Sequence, residues 1–158
     1  MLNIIPNVFR APLSIPELDF AGTIASIHPS AAETSTARGL AEGDEIFGSI
    51  SVGQHVKQGA GALASFIAVP ADSIVKVPGN MPAEQAAGLG VSGCTALMLV
   101  EQAKVKAGER VLVNGASGGI GTMVIQMVRR RVGPKGVLVG VCSGRNADLV
   151  KDLGADEV

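Results

Sequence analysis

Apolar and polar positions in the second half of the chain follow two alternating patterns. Short apolar runs at Arg110–Asn114 and Val137–Cys142 predict buried strands. Between these runs, apolar residues recur at the i, i+3, i+4, i+7, i+8 spacing of an amphipathic helix. They are Ile120, Met123, Val124, Met127 and Val128. Arg129, Arg130 and Arg131 then indicate a solvated basic helix end.

A second strand–helix step follows. A helix is predicted over Asn146–Leu153 with Gly154 as its cap, and Glu157 begins a third strand. The order strand, helix, strand, helix is typical of the first half of a doubly wound parallel sheet.

The first half of the chain has shorter apolar runs that are broken by turn residues. Residues 51–62 are punctuated by glycine and predict a loop. Strands are predicted at Leu18–Ile27, Glu45–Ile50, Leu63–Val69 and Ser73–Val77. This density of short strands favours an antiparallel barrel or sandwich. The pattern changes at Pro78–Asn80, after which helices are predicted from Pro82 and over Ser92–Ala103. We therefore predict domains at residues 1–80 and 81–158.

The stretch RVLVNGASGGIG, residues 110–121, joins a predicted strand to a predicted helix through a glycine-rich turn. This layout can hold a dinucleotide pyrophosphate, because the first N–H groups of a helix are unpaired and carry partial positive charge. The predicted cofactor-binding residues of this turn are Gly115, Ala116, Ser117, Gly118, Gly119, Ile120 and Gly121. The glycines fit both G-x-x-G-x-x-G and the G-x-x-x-G-x-G of short-chain dehydrogenases, and their spacing alone leaves both open. A P-loop fits badly, since no Lys-Ser or Lys-Thr pair follows.

The end of the second strand of this half bears on the choice of cofactor. NAD-specific folds place an Asp or Glu here to accept the ribose hydroxyls. This chain has Cys142–Arg145 instead, with no acidic residue before Asp148. A hydroxyl and a guanidinium suit a 2′-phosphate, so Ser143 and Arg145 are predicted to bind NADPH. The alternative is that Arg145 is a solvated residue ahead of a helix.

Composition narrows the class of protein. The chain has 158 residues, of which 47% are hydrophobic, and a net charge of −1. This near-neutral charge argues against a nucleic-acid partner, and no apolar run reaches the roughly 18 residues of a membrane span. The start of the chain lacks the basic and long apolar segments of a secretory signal. Two cysteines give no disulfide framework, which favours a reducing, cytoplasmic compartment.

Seven segments, in family order, resemble the medium-chain dehydrogenase/reductase superfamily, and specifically its zinc-free quinone oxidoreductase and enoyl reductase branch. They are IPELDFAG (15–22), GDEIFG (43–48), LASFIAVPAD (63–72), VPGNMPAEQAAGL (77–89), SGCTAL (92–97), VLVNGASGGIG (111–121) and VCSGRNADLVKDLGADEV (141–158). Short-chain dehydrogenases usually open with their glycine turn and need a Tyr-x-x-x-Lys, whereas this chain has no tyrosine. The resemblance implies an α/β protein with a partial GroES-like β-barrel domain followed by the first half of a Rossmann NADP-binding domain.

The resemblance also implies a reaction, in which NADPH transfers a hydride to a quinone or another conjugated carbonyl compound. Thr95 matches a family threonine near the nicotinamide; the alternative is a helix-start hydroxyl bonded to backbone. The proton donor is unassigned, because the enoyl reductases often use a tyrosine and this chain has no tyrosine. A homodimer is expected for the full-length form.

Zinc-dependent relatives carry Gly-His-Glu where this chain has Leu18–Phe20, and a liganding cysteine about where Val91 stands. His28 and His55 are the only histidines and do not form a ligand-spaced cluster. We therefore expect no metal, which disfavours a fragment of a zinc alcohol dehydrogenase.

Family members normally begin well before the region matching Ile15 and continue well beyond Val158. We therefore expect a fragment of a longer enzyme. The alternative is a truncated, non-catalytic product that at most binds nucleotide or a partner.

Overall fold

The computed structural model describes residues 14–29 and 39–158. The chain divides into two compact units between Val91 and Ser92. The predicted domain boundary at residues 80 and 81 stays a prediction.

The first unit contains a three-stranded antiparallel sheet of β1 (Asp19–Thr23), β2 (Glu45–Ser49) and β3 (Ile74–Lys76), in that spatial order. Among the described residues of this unit, α1 (Val52–Gln58) and α2 (Ala83–Ala87) are short helices, and α2 packs on β1 and β2. The core of this unit is apolar and consists of Phe20, Leu40, Ile46, Ile50 and Ile74.

The predicted strand Leu63–Val69 is wrong. The N–H groups of Ala62 and Leu63 donate to the oxygens of Glu17 and Pro16, at 2.9 and 3.1 Å. Two successive donors aimed at the same segment do not fit a strand, because successive residues of a strand point to opposite sides, and residues 62–65 form a bend instead. Leu63 is 68% exposed and Phe66 is 83% exposed, and although Ile67 and Val69 pack against the core of the unit, the segment is not part of the three-stranded sheet.

The predicted loop over residues 51–62 is also wrong, because it contains helix α1. The Ser51 side chain accepts a hydrogen bond from the Gln54 N–H at 3.2 Å, and Gly59 ends the helix in the left-handed region with φ +69°. A serine N-cap and a glycine C-cap are sequence signals of a helix, and the glycine-rich composition obscured them. The predicted strand Leu18–Ile27 is shortened to β1.

The second unit contains α3 (Val91–Ala103, whose first residue ends the first unit), β4 (Arg110–Asn114), α4 (Gly119–Val132), β5 (Val137–Val141) and α5 (Ala147–Asp152). Strands β4 and β5 are parallel, and Val139 of β5 makes a parallel bridge to Glu157. Strand β5 therefore lies between β4 and the chain end. This arrangement confirms the predicted half of a doubly wound sheet.

Helix α4 faces the core with a slightly different stripe from the predicted one. Gly121, Ile125, Val128 and Val132 are its buried residues. Ile120, Met123, Val124 and Met127 are only partly buried and flank this stripe. The glycine at 121 and the completely buried Ile125 shift the stripe, because Gly121 lets the helix approach the strand closely.

The basic end of α4 is not simply solvated. Arg129 donates to the oxygens of Gly154 and Gly133 at 2.8 and 2.9 Å and forms an ion pair with Asp156. Arg131 pairs with Glu101. Of these three arginines, only Arg130 has no ion pair with a described residue.

The described residues contain no helix with the length and apolar character that a membrane crossing requires.

Candidate functional site

Two loops leave the same edge of the parallel sheet in the second unit. Asn114 and Val141, the last residues of β4 and β5, are register neighbours. The glycine turn after β4 and the segment Cys142–Asn146 after β5 therefore lie side by side. The Ala116 N–H donates to the Val141 oxygen at 3.0 Å, which ties the turn to β5.

Two positions of the glycine turn, 115 and 121, require glycine. Gly115 has φ +72°, in the left-handed region that favours glycine. A Cβ on Gly121 would lie 2.1 Å from the Gly115 oxygen, so a side chain there would force the turn and α4 apart. The Gly118 N–H donates to the Gly115 oxygen at 3.0 Å and closes the turn.

The start of α4 presents unpaired donors. The first helical hydrogen bond runs from the Thr122 N–H to the Gly118 oxygen at 2.9 Å. Within the described residues, the N–H groups of Gly119, Ile120 and Gly121 have no acceptor. Three N–H groups and the positive end of a 14-residue helix thus face the turn, an arrangement that attracts an anion.

The loop after β5 carries the predicted hydroxyl and guanidinium. The Asn146 N–H donates to the Ser143 oxygen at 2.8 Å and closes a 3-10 turn over Gly144–Asn146. Ser143 and Arg145 are both exposed. Among the described residues Arg145 has no carboxylate partner, whereas Arg110, Arg129 and Arg131 each have one. The guanidinium of Arg145 is therefore available to an anionic ligand.

A side-chain contact that the sequence did not reveal joins the two loops. The Asn146 Nδ2 donates to the Ser117 Oγ at 3.1 Å, across 29 positions of sequence. Both residues are half-buried. The only sequence feature that could have indicated this contact is the asparagine at the N-cap position of α5, but the side chains of N-cap asparagines usually accept hydrogen bonds from their own helix.

Thr95 lies on α3 and is half-buried. One turn earlier on the same helix, the Ser92 Oγ lies 3.5 Å from where a Cβ on Gly119 would stand. Ser92 therefore borders the start of α4, a position that sequence reasoning missed. The role of Thr95 at a nicotinamide stays a prediction.

The positions where zinc-dependent relatives hold ligands have another use in this chain. The Asp19 carboxylate accepts a hydrogen bond from the Val91 N–H at 2.8 Å, and burial raises the pKa of Asp19. His55 is buried in α1, with its Nδ1 2.8 Å from the Ala60 oxygen. Across residues 14–29 and 39–158, no group of three His, Cys, Asp or Glu side chains could hold a metal ion.

Comparison with known proteins gives relatives that are longer than this chain. No family model matches the chain. Trans-enoyl reductase buaC of Petromyces alliaceus is 34% identical over 164 residues, which cover 95% of this chain and 42% of the relative.

Two solved structures are similar in fold. The quinone oxidoreductase of Coxiella burnetii has a TM-score of 0.73 and 27% identity, covering 90% of this chain and 42% of that one. The Escherichia coli K-12 protein YhdH with bound NADPH also has a TM-score of 0.73 and 27% identity, covering 97% and 45%. The chain spans less than half the length of these three proteins. With its antiparallel sheet, its parallel sheet and these relatives, the chain belongs to the medium-chain dehydrogenase/reductase superfamily.

Proposed function

We propose that residues 110–146 form the adenosine-phosphate half of an NADPH site, in an oxidoreductase that reduces a quinone or a conjugated enone. One observation carries the proposal: the parallel pairing of β4 and β5 brings together, at one sheet edge, three helical N–H groups without acceptors and an Arg145 guanidinium without a carboxylate partner among the described residues. Both groups favour anions, and NADPH presents a pyrophosphate and a 2′-phosphate there.

The start of α4 fits a pyrophosphate. The N–H groups of Gly119, Ile120 and Gly121 supply donors, and the absent side chain of Gly118 leaves the backbone open to phosphate oxygens. The Ser117 hydroxyl adds a further donor beside them. Backbone donors with a helix dipole behind them bind phosphate without a charged side chain.

The loop after β5 fits a 2′-phosphate better than free ribose hydroxyls. No carboxylate occurs between Cys142 and Ala147, so this loop has no charged acceptor for a ribose diol and no negative charge to repel a phosphate. Ser143 and Arg145 can both donate, and a guanidinium matches phosphate geometry through two parallel hydrogen bonds. The bound NADPH in the YhdH structure supports this choice of cofactor.

NADPH supplies the hydride, and the residues described above bind and orient the cofactor. The relatives' names, trans-enoyl reductase and quinone oxidoreductase, support a conjugated carbonyl compound as the acceptor. Thr95, on the helix that borders the start of α4, is proposed to contact the nicotinamide end.

Replacing Arg145 tests the cofactor assignment. Calorimetric titration of the wild-type chain should show about a tenfold to hundredfold preference for NADPH over NADH, the worth of a charge-assisted guanidinium–phosphate contact. Arg145→Ala should remove most of this preference, while Arg130→Ala, which also removes an arginine without an ion pair to any described residue, should retain it. Equal wild-type affinities for the two cofactors would contradict the assignment.

NADPH oxidation with a quinone and with a conjugated enone as acceptors tests the reaction. Turnover with either acceptor supports the proposed activity. Binding of NADPH without turnover of either acceptor would support the cofactor site alone.

A further inference from the structure

We propose that Asn146 is a positioning residue that orients the Ser117 hydroxyl toward the pyrophosphate. The inference rests on the proposed function, because it concerns the same NADPH site. Its basis is the hydrogen bond from Asn146 Nδ2 to Ser117 Oγ, at 3.1 Å.

Asn146 occupies a position where its side chain would ordinarily serve its own helix. It is the N-cap residue of α5, and asparagine is among the strongest N-cap residues because its oxygen accepts from the first helical turn. In this structure the side chain makes no capping hydrogen bond, and its amide reaches Ser117 instead. Helix α5 therefore lacks the stabilisation of a side-chain N-cap, and the Asn146 side chain contacts the glycine turn instead.

The direction of this hydrogen bond determines what Ser117 can do. A hydroxyl has one proton to donate and two lone pairs that accept. Since the Asn146 amide donates to Ser117 Oγ, one lone pair is occupied and the hydroxyl proton remains free to point elsewhere. The N–H groups of Gly119 and Ile120 follow two and three residues later in the chain, so this proton joins an array of donors that suits phosphate oxygens.

Asn146 also holds the second loop through its backbone. Its N–H donates to the Ser143 oxygen at 2.8 Å, which closes the turn that carries Arg145. A side-chain substitution retains this backbone bond. Changing the Asn146 side chain should therefore disturb the pyrophosphate end and leave the 2′-phosphate end intact.

This separation gives a specific expectation. Because NADPH and NADH share the pyrophosphate, Asn146→Ala should weaken binding of both by about threefold to tenfold, the range of one neutral hydrogen bond, and leave their ratio unchanged. Asn146→Asp should weaken both further, since a carboxylate accepts the Ser117 proton and repels the pyrophosphate. Asn80→Ala, at an exposed asparagine in the first unit, is the control and should bind like wild type.

Calorimetric titration of NADPH and NADH into the wild-type chain and its variants is the test. Ser117→Ala should lower the affinity for both cofactors as much as Asn146→Ala does. The double variant should bind them no more weakly than Ser117→Ala alone, because the two residues act through one hydroxyl. Thermal unfolding shows which variants are folded; should Asn146→Ala fail to fold, Ser117→Ala and Asn146→Ser carry the comparison.

The outcomes separate this inference from the proposed function. Wild-type affinity for both cofactors in Asn146→Ala, or losses that add in the double variant, would overturn the role of Asn146 and leave the NADPH site standing. Loss of the NADPH preference in Asn146→Ala would also overturn it, because the residue would then act on the 2′-phosphate end. A wild-type chain that binds neither cofactor would overturn both proposals.

Discussion

Two glycines of the turn lie three residues apart, and a side chain would meet different surroundings at each. A Cβ on Gly121 would lie 2.1 Å from the Gly115 oxygen and 2.9 Å from Ala116. A Cβ on Gly118 would meet only the Gly115 oxygen, at 3.3 Å, and the backbone there, at φ −78° and ψ 166°, is extended and open to any residue. Gly121 therefore serves the fold, whereas Gly118 is free to serve a ligand.

We predict that Gly118→Val abolishes NADPH binding and leaves the circular dichroism spectrum nearly unchanged. The branched side chain would occupy the space proposed for phosphate oxygens without a severe clash inside the protein. Gly121→Val should instead lower the melting temperature, and Gly79→Val, where a Cβ meets nothing within 4 Å, should alter neither property. A folded Gly118→Val variant with undiminished NADPH affinity would count against the assigned role of the turn.

At the scale of elements, Arg129 and Asp156 hold the end of α4 to the strand beside it. The Arg129 side chain is 25% exposed. It donates to the backbone oxygens of Gly133, before β5 in the sequence, and Gly154, after it, and it pairs with Asp156. Asp156 in turn accepts from the Leu138 N–H at 2.7 Å. The Leu138 hydrogen bond, followed by that of Arg129, lowers the pKa of Asp156. The contacts thus favour the charged carboxylate in the folded state.

The lowered pKa of Asp156 predicts a pH dependence of stability. A carboxyl whose pKa is lower folded than unfolded stabilises the protein above its unfolded pKa of about 3.9, and this stabilisation is lost as the pH falls through the folded pKa. Urea unfolding should show Asp156→Asn less stable than wild type at pH 7, with the difference shrinking below pH of about 4. Asp152→Asn, a change at an exposed carboxyl of α5, is the control. A constant difference between Asp156→Asn and wild type across this range would argue against the charge as the cause.

At the scale of the whole molecule, each unit has its own apolar core. The positions that match Gly-His-Glu and the liganding cysteine of zinc-dependent relatives are filled by Leu18–Phe20 and Val91, and the Asp19 carboxylate accepts a hydrogen bond from the Val91 N–H. The chain therefore uses this region of the first unit for packing and backbone hydrogen bonding.

We expect less than one zinc per chain in purified protein, because catalytic zinc needs three protein ligands of N, S or O type. Elemental analysis before and after dialysis against a chelator is the measurement. One tightly held zinc per chain, retained through dialysis, would reject the expectation.

Local pattern alone determined much of this protein. The 3.6-residue period of residues 120–128, the apolar run Val137–Cys142 and the glycine at 115 each depend on neighbours within a few positions, so their elements were predictable. The same reasoning failed at Leu63–Val69 and at α1. In the first, Ile67 and Val69 pack against the core although the segment does not join the sheet. In the second, the capping residues Ser51 and Gly59 were outweighed by composition.

Only the tertiary structure decided which of these residues meet. The parallel register of β4 and β5 places the glycine turn beside Ser143 and Arg145, and Asn146 reaches Ser117 across 29 positions. The tertiary structure also distinguishes two arginines of the same chemistry. Arg129 is hydrogen bonded to backbone oxygens and paired with Asp156, whereas Arg145 has no carboxylate partner in the described residues. Local periodicity determines what each segment becomes; the partners of a side chain depend on strand pairing and packing between segments distant in sequence, and no local pattern contains that information.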